Sequence, residues 1–291
     1  MKTVDSQFWS GGMKCAGTLY LPEAEKPPVV VMAHGFGAER SFRLPAFAER
    51  FVEKGMAVYL FDYRNFGDSP GEPRNLVSPR RHVADWGAAI AHARGLREVD
   101  GGRLGLWGTS FSGGHVMVAA AKNKPVSAVV SQVPFVDGVA TAFGFKPAFV
   151  ARAVAHAVRD LATIAAARPP HLVPIVGDPD EFAMMNTPDS KPGYMALVPQ
   201  GTAWRNECPA RAGLALTLYR PVMYAGKIDC PALIVLAEND SLVNPDSVRR
   251  TAAKIRNASV APMPVGHFDV YVGDWFEKVV ELEGEFLCEN L

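Results

Sequence analysis

The amino-acid sequence predicts an α/β protein, built as a mostly parallel, doubly wound sheet with helices on both faces and an inserted cap domain. Three observations carry that prediction. Six short runs are apolar almost throughout, they alternate with longer amphipathic segments, and one long stretch with no such run interrupts the alternation. The chain has 291 residues, 48% of them hydrophobic, which is enough for one large core with an insertion.

The chain opens with "VDSQFW" and "MKCAGTLYL" around Gly11-Gly12, which reads as a β-hairpin. The apolar runs follow: "PVVVMA" (28–33), "MAVYLF" (56–61), "RLGLWG" (103–108), "VSAVVSQV" (126–133), "ALIVLA" (232–237) and a weaker "ASVAPM" (258–263). Continuous apolar runs suit strands covered on both faces, as in a parallel sheet. Between them lie helical patterns. "PAFAERFVEKG" places Phe47, Phe51 and Val52 at helical spacing, with Gly55 as a stop. "SPRRHVADWGAAIAHARG" offers Ser78 as N-cap and Pro79 at the first helical position. "FSGGHVMVAAAKN", "PDSVRRTAAKIRN" and "DWFEKVVELEGEFL" complete the series.

The interruption divides the chain into a first core part (1–134), a cap (135–228) and a second core part (229–291). Within the cap, "AFVARAVAHAVRDLATIAAA" reads as a helix. "RPPHLVPIVGDPDEFAMMNTPDSKPG" reads as a long irregular connection, and segments of that kind are usually functional or part of an insertion.

Chemistry concentrates at strand ends. In "LWGTSFSGG", Ser110 stands between a buried-type strand and a helix, with small residues two positions to either side, Gly108 and Ser112. This G-x-S-x-S form is one residue from the G-x-S-x-G nucleophile elbow. Ser112 also has small neighbours, but choosing it would place the nucleophile inside the first turn of the helix. A serine needs a base, and the base needs an orienting carboxylate. Asp240 follows "ALIVLA", and His267, in "PVGHFDVY", follows the last strand; the order Ser110, Asp240, His267 is the one expected with such an elbow. Glu238 is the alternative acid. Backbone donors for a developing oxyanion are Phe111, at the start of its helix, and Phe36, in the glycine-bearing loop "AHGFGAER".

Each residue also has an ordinary reading. A serine before a helix commonly caps it, Asp240 sits in a turn-forming context, and His267 can be a partly buried histidine bonded to backbone. Their joint occurrence in order, each just past a strand, favours chemistry. His34 reads as a structural support for the oxyanion loop and His115 as packing below the elbow. Cap residues Phe143, Met184, Tyr194 and Trp204, with Phe135 at its start, are candidates for an apolar substrate pocket. "TAWRNE" (202–207) reads as a solvated helix start, with a substrate contact through Arg205 as the sharper alternative.

Composition excludes several classes. Lys+Arg and Asp+Glu both total 30, so no basic stripe points to nucleic acid. Apolar runs are too short to span a bilayer. The start "MKTVDSQFWSGG" has no basic end and apolar run, and the four cysteines form no CxxC pair, so a cytoplasmic location with reduced thiols is expected. The histidines show no metal-ligand spacing, and neither "HGFG" nor "NFGDSPG" suits a phosphate loop. No metal and no organic cofactor are expected, and the oligomeric state stays open.

Together, "VVVMAHGFG", "YLFDYRNFGDSPGEPR", "LGLWGTSFSGGH", "LIVLAENDSLV" and "PVGHFDVYVG" resemble the α/β-hydrolase superfamily, most closely its capped bacterial dienelactone-hydrolase-like and CocE-like esterases. The resemblance covers nearly the whole chain. It implies a serine esterase or thioesterase with Ser110, Asp240 and His267 as triad, Phe36 and Phe111 as oxyanion donors, and a small-molecule ester or thioester as substrate. Ser112 departs from the commonest elbow, which has Gly there. Ser110 itself argues against dienelactone hydrolysis proper, which uses Cys, and against dehalogenation, which uses Asp. Acyl transfer, a peptidase and a non-catalytic binding protein are the competing readings.

Overall fold

The computed structural model describes residues 1–291. In chain order the first elements are β1 (Lys2–Ser10), β2 (Met13–Leu21), β3 (Pro28–Ala33), α1 (Leu44–Glu53), β4 (Ala57–Phe61), α2 (Pro79–Arg94), β5 (Asp100–Thr109), α3 (Phe111–Lys122) and β6 (Ala128–Gln132). Next come α4 (Gly138–Phe143), α5 (Pro147–Ala165), β7 (Leu172–Val173), α6 (Ser190–Met195), β8 (Cys208–Pro209) and α7 (Ala212–Leu218). The chain closes with β9 (Ala232–Ala237), α8 (Pro245–Ala252), β10 (Ala258–Met263) and α9 (Gly273–Asn290).

Eight strands form one sheet in the order β1-β2-β4-β3-β5-β6-β9-β10. The first three of these pair antiparallel, and β4 through β10 run parallel. Gly11 and Gly12 both take positive φ (52° and 78°), which lets a two-residue turn close the opening hairpin with the right twist. β4, β6 and β9 are buried at every residue because helices cover both faces of the sheet. β10 is the edge strand, half exposed, and accepts Pro262 because its outer side has no neighbour to bond. α1 and α9 pack together on one face, α2 and α3 together on the other. No helix is long and apolar enough to cross a membrane.

The order of strands positions the site. From β3 the chain winds one way to β4, then crosses back so that β5 lies on the other side of β3. The loops leaving the C-terminal ends of β3 and β5 therefore separate around a crevice, the usual ligand site of open parallel sheets.

Residues 133–231 leave the sheet between its neighbouring strands β6 and β9. α5 carries this segment, yet only Ala157 and Asp160 of its 19 residues are buried. Asp160 is its anchor, accepting hydrogen bonds from the backbone N–H groups of His171 and Arg211 (both 2.9 Å) and from the Arg211 guanidinium (3.2 Å). The connection after α5 is less irregular than the sequence suggests. β7 and β8 pair, a bridge joins Val176 to Met185, and α6 follows. Two local expectations are corrected. Ser78 stands at the N-cap of α2 but its side chain makes no capping bond, and Pro79 alone marks the start. Residues 202–207 do not begin a helix; α7 starts only at Ala212, because Asn206 turns inward to bond both the N–H and the C=O of Val176.

One core group has a thermodynamic consequence. Glu283 of α9 is fully buried and accepts a bond from the Trp107 indole N–H (2.8 Å), while its other oxygen has no partner. Burial pushes its carboxyl up from 4.5 to about 8, with the indole bond opposing. The folded value is the higher one, so this group's contribution is complete below about pH 4.5 and is lost as pH rises toward 8. Glu283→Gln keeps the indole bond without the ionisation. Urea midpoints measured at pH 5.5 and 8.5 should show wild type losing more stability over that interval than Glu283→Gln; equal losses would refute the neutral buried carboxyl.

Candidate active site

Ser110 sits between β5 and α3 with φ 56° and ψ −119°, a conformation that L residues rarely adopt. Its backbone is tied on both sides: its N–H donates to Gln132 O (2.8 Å), and Phe135 N–H donates to its carbonyl (2.9 Å). The small neighbours are required by crowding. A Cβ on Gly108 would lie 2.4 Å from Ser112 O, and one on Gly114 would lie 2.1 Å from Phe135 O. Ser112 is buried below the turn, where its hydroxyl meets the Tyr63 hydroxyl (2.8 Å), itself bonded by the Trp86 indole (2.9 Å). Its hydroxyl has no base beside it.

The structure brings Ser110, His267 and Asp240 together. Ser110 Oγ is 3.0 Å from His267 Nε2, and His267 Nδ1 is 2.7 Å from Asp240 Oδ2. Asp240 Oδ1 accepts from the N–H groups of Leu242 (2.8 Å) and Val243 (2.9 Å), which fixes the carboxylate plane toward the ring. Glu238, the alternative acid, lies on the surface paired with Arg249 (2.7 Å). In this arrangement the imidazole can take the serine proton while the buried carboxylate holds its tautomer and stabilises the cation formed.

The loop after β3 passes close to the serine: a Cβ on Gly35 would lie 3.1 Å from Ser110 Cβ. Its three successive carbonyls are each engaged. His34 Nδ1 bonds Gly35 O (3.1 Å), the Tyr194 hydroxyl donates to Phe36 O (2.9 Å), and the Trp204 indole donates to Gly37 O (2.8 Å). Neither the Phe36 N–H nor the Phe111 N–H has an acceptor in the protein. His34 is buried, and that burial pushes its pKa down to about 4 against the opposing pull of Asp62. It stays neutral near pH 7, as a support for the loop requires. His115 is pushed down to about 3, mainly by burial, and bonds the Tyr219 hydroxyl (2.7 Å) below the elbow.

A cavity of about 210 Å³ opens from Ser110 and His267 into the inserted segment, and 16 of its 22 lining residues are hydrophobic, so it suits an apolar group. Phe135 and Met184 line it, as does the cap residue Phe149, together with Phe182 and Leu214, which the sequence did not single out. A second cavity of about 30 Å³ lies beside the loop after β3 and is lined in part by Tyr194. Three expectations are corrected. Phe143 is 87% exposed and lines neither cavity. Trp204 lines neither cavity; it packs edge-to-face with Phe42 and at a tilt against Tyr194, and holds the loop through Gly37. Arg205 is exposed, its nearest acid being Glu207 at 3.8 Å, and it touches neither cavity. The roles of Tyr194 and Trp204 as donors to loop carbonyls left no sequence signal beyond aromatic character.

Residues 24–262 match the family described as serine aminopeptidase, S33. The chain belongs to this α/β-hydrolase family. It is 41% identical over 286 residues to the quorum-quenching protein AidA of Acinetobacter baumannii, covering 98% of this chain and 94% of that protein. It is 33% identical over 287 residues to the polyketide transferase af380 of Aspergillus fumigatus, covering 96% of this chain and 95% of that protein. The fold matches the crystal structure of the α/β hydrolase GrgF from Penicillium sp. sh18 with a TM-score of 0.85, at 22% identity, over 100% of this chain and 99% of that one.

The corrected roles can be checked by phosphonate labelling rates. Tyr194→Phe removes one donor to the loop after β3 and should slow labelling roughly tenfold, the effect of about one hydrogen bond. Phe143→Ser, on the exposed surface, should leave the rate within twofold of wild type (about 0.4 kcal/mol). Slowing by Phe143→Ser and not by Tyr194→Phe would reverse both assignments.

Proposed function

We propose that this α/β hydrolase is a serine esterase or thioesterase that cleaves a small to medium, largely apolar acyl substrate through an acyl-enzyme. The observation that carries the reading is the continuous line of contacts from Ser110 Oγ through His267 to Asp240, placed at the floor of the apolar cavity. Ser110, deprotonated by His267, attacks the carbonyl. The oxyanion is received by the free N–H groups of Phe36 and Phe111, the second strengthened by the α3 dipole. His267 protonates the leaving group and then activates water, and Asp240 orients the ring throughout. No metal or organic cofactor enters these steps. Residues 135–228 act as the cap that roofs the site.

The relative named for quorum quenching supports a small signalling molecule as substrate. An aminopeptidase reading has less support, because no Asp or Glu lines either cavity to receive a free amine. The relative named as a polyketide transferase favours one second reading, transfer of the acyl group to an alcohol or amine in place of water.

A fluorophosphonate probe followed by peptide mapping tests the proposal. A single adduct on Ser110 is expected, retained in Ser112→Ala and lost in Ser110→Ala. Asp240→Asn should lower kcat on a reactive ester by roughly 10⁴-fold. Folded protein that takes no label would remove the serine-hydrolase assignment, and an adduct on Ser112 instead would move the nucleophile there. Products from an acyl thioester with added alcohol then separate hydrolysis, giving free acid, from transfer, giving the new ester.

A further inference from the structure

The two cavities at the candidate site share four lining residues. Three are Ser110, His267 and Phe36, which carry the proposed chemistry; the fourth is Met185. Beyond the oxygen that becomes the oxyanion, a carbonyl bonded to Ser110 has two arms, the acyl chain and the departing oxygen or sulfur group. Two cavities meeting at the serine can take one arm each. They are very unequal: about 210 Å³ against about 30 Å³.

Met185 is held as a partition would have to be. Its N–H donates to Ile175 O (2.9 Å), and its carbonyl accepts from Gly177 N–H (3.1 Å). The strand-like piece between is itself held by Asn206 through both backbone groups of Val176 (2.9 and 2.8 Å). Ile175 in turn packs where Gly37 leaves no room for a Cβ, its nearest carbon lying 2.8 Å from that position. The backbone at 185 is thus tied through Ile175 to the loop that carries Gly37, and its side chain lines both cavities beside Ser110 and His267. Methionine is unbranched and adaptable, so it fits such a place without a fixed shape of its own.

We propose that Met185 is a specificity-determining residue: it fixes the length of the shorter arm of the substrate, so that the enzyme takes esters or thioesters with one extended apolar arm and one arm of one or two carbons. This inference rests on the serine-hydrolase reading above. Which arm is the short one follows from the same experiment.

The test compares methyl hexanoate, hexyl acetate and hexyl hexanoate as substrates of wild type, Met185→Ala and Met185→Leu. Wild type should turn over at least one of the first two with kcat/KM about tenfold or more above hexyl hexanoate, a discrimination within the range of apolar pockets. The preferred one, methyl hexanoate or hexyl acetate, identifies the arm in the small cavity. Met185→Ala should raise the ratio for hexyl hexanoate over the preferred ester about tenfold, and Met185→Leu, of similar volume, should hold it within threefold of wild type. A wild type that accepts hexyl hexanoate equally, or a Met185→Ala variant that labels at Ser110 yet keeps the wild-type ratio, would overturn the assignment. Failure of the underlying hydrolase reading looks different: no adduct on Ser110 and no turnover of any of the three esters.

Discussion

The site depends on one backbone conformation, that of Ser110. A serine at φ 56° costs about 1–3 kcal/mol relative to a relaxed residue and persists only where its surroundings over-determine it. Here the determination comes from both directions: Gln132 and Phe135 bond its peptide groups, and the contacts at Gly108 and Gly114 leave no room for larger side chains. The consequences follow together. The hydroxyl projects from the sheet edge toward His267, the helix begins at the next residue, and the Phe111 N–H is left free at the positive end of that helix. Relaxing the turn would displace the Ser110 hydroxyl and the Phe111 N–H at once, the two groups that the proposed mechanism uses as nucleophile and oxyanion donor.

The other half of the site is not made by the sheet alone. A loop reading His-Gly-Phe-Gly has little side chain of its own to hold it. Its carbonyls are turned outward by three donors, of which Tyr194 and Trp204 belong to the segment inserted after β6. Turning the Gly35 carbonyl toward His34 points the Phe36 N–H on the same peptide the opposite way. The inserted segment therefore both walls the apolar cavity and sets the backbone on which the Phe36 N–H is carried. Displacing it would open the cavity and loosen the donor in the same movement.

The sheet was legible in the sequence because β3, β4, β6 and β9 are buried on both faces, and such strands leave runs that are apolar almost throughout. Ser110, Asp240 and His267 were legible because each lies within a few residues of a strand end, so local pattern and topology together bring them near one point. The inserted segment lacks both signals. α5 buries only Ala157 and Asp160, and α4 and α7 are short, so nothing local says which side chains of the segment face the cavity: Phe143 and Trp204 are expected in the pocket and lie outside it, while Phe182 and Leu214 line it with no signal that marks them. Met185 lies in "AMMNTP", where nothing local separates it from Met184; only the bridge to Val176 gives its backbone a fixed place.

The contrast between the two cavities bears on how an acyl-enzyme would be resolved. Hydrolysis and transfer share that intermediate and differ only in which nucleophile reaches its carbonyl. The large cavity offers few polar side chains beyond Ser110 and His267, chiefly the hydroxyls of Thr141 and Thr217, so an apolar acyl group seated there displaces poorly held water and keeps bulk solvent away. The attacking group must then arrive from the side not filled by the acyl chain. If that side is the small cavity, its smaller volume, about 30 Å³ against about 210 Å³, favours water over an extended alcohol or amine. If the small cavity instead holds a short acyl group, the large one is free to receive an acceptor once the leaving group departs, and transfer is open to the same triad. Under the proposed mechanism the choice between the two outcomes therefore turns on which arm of the substrate is long, because the same three side chains serve both.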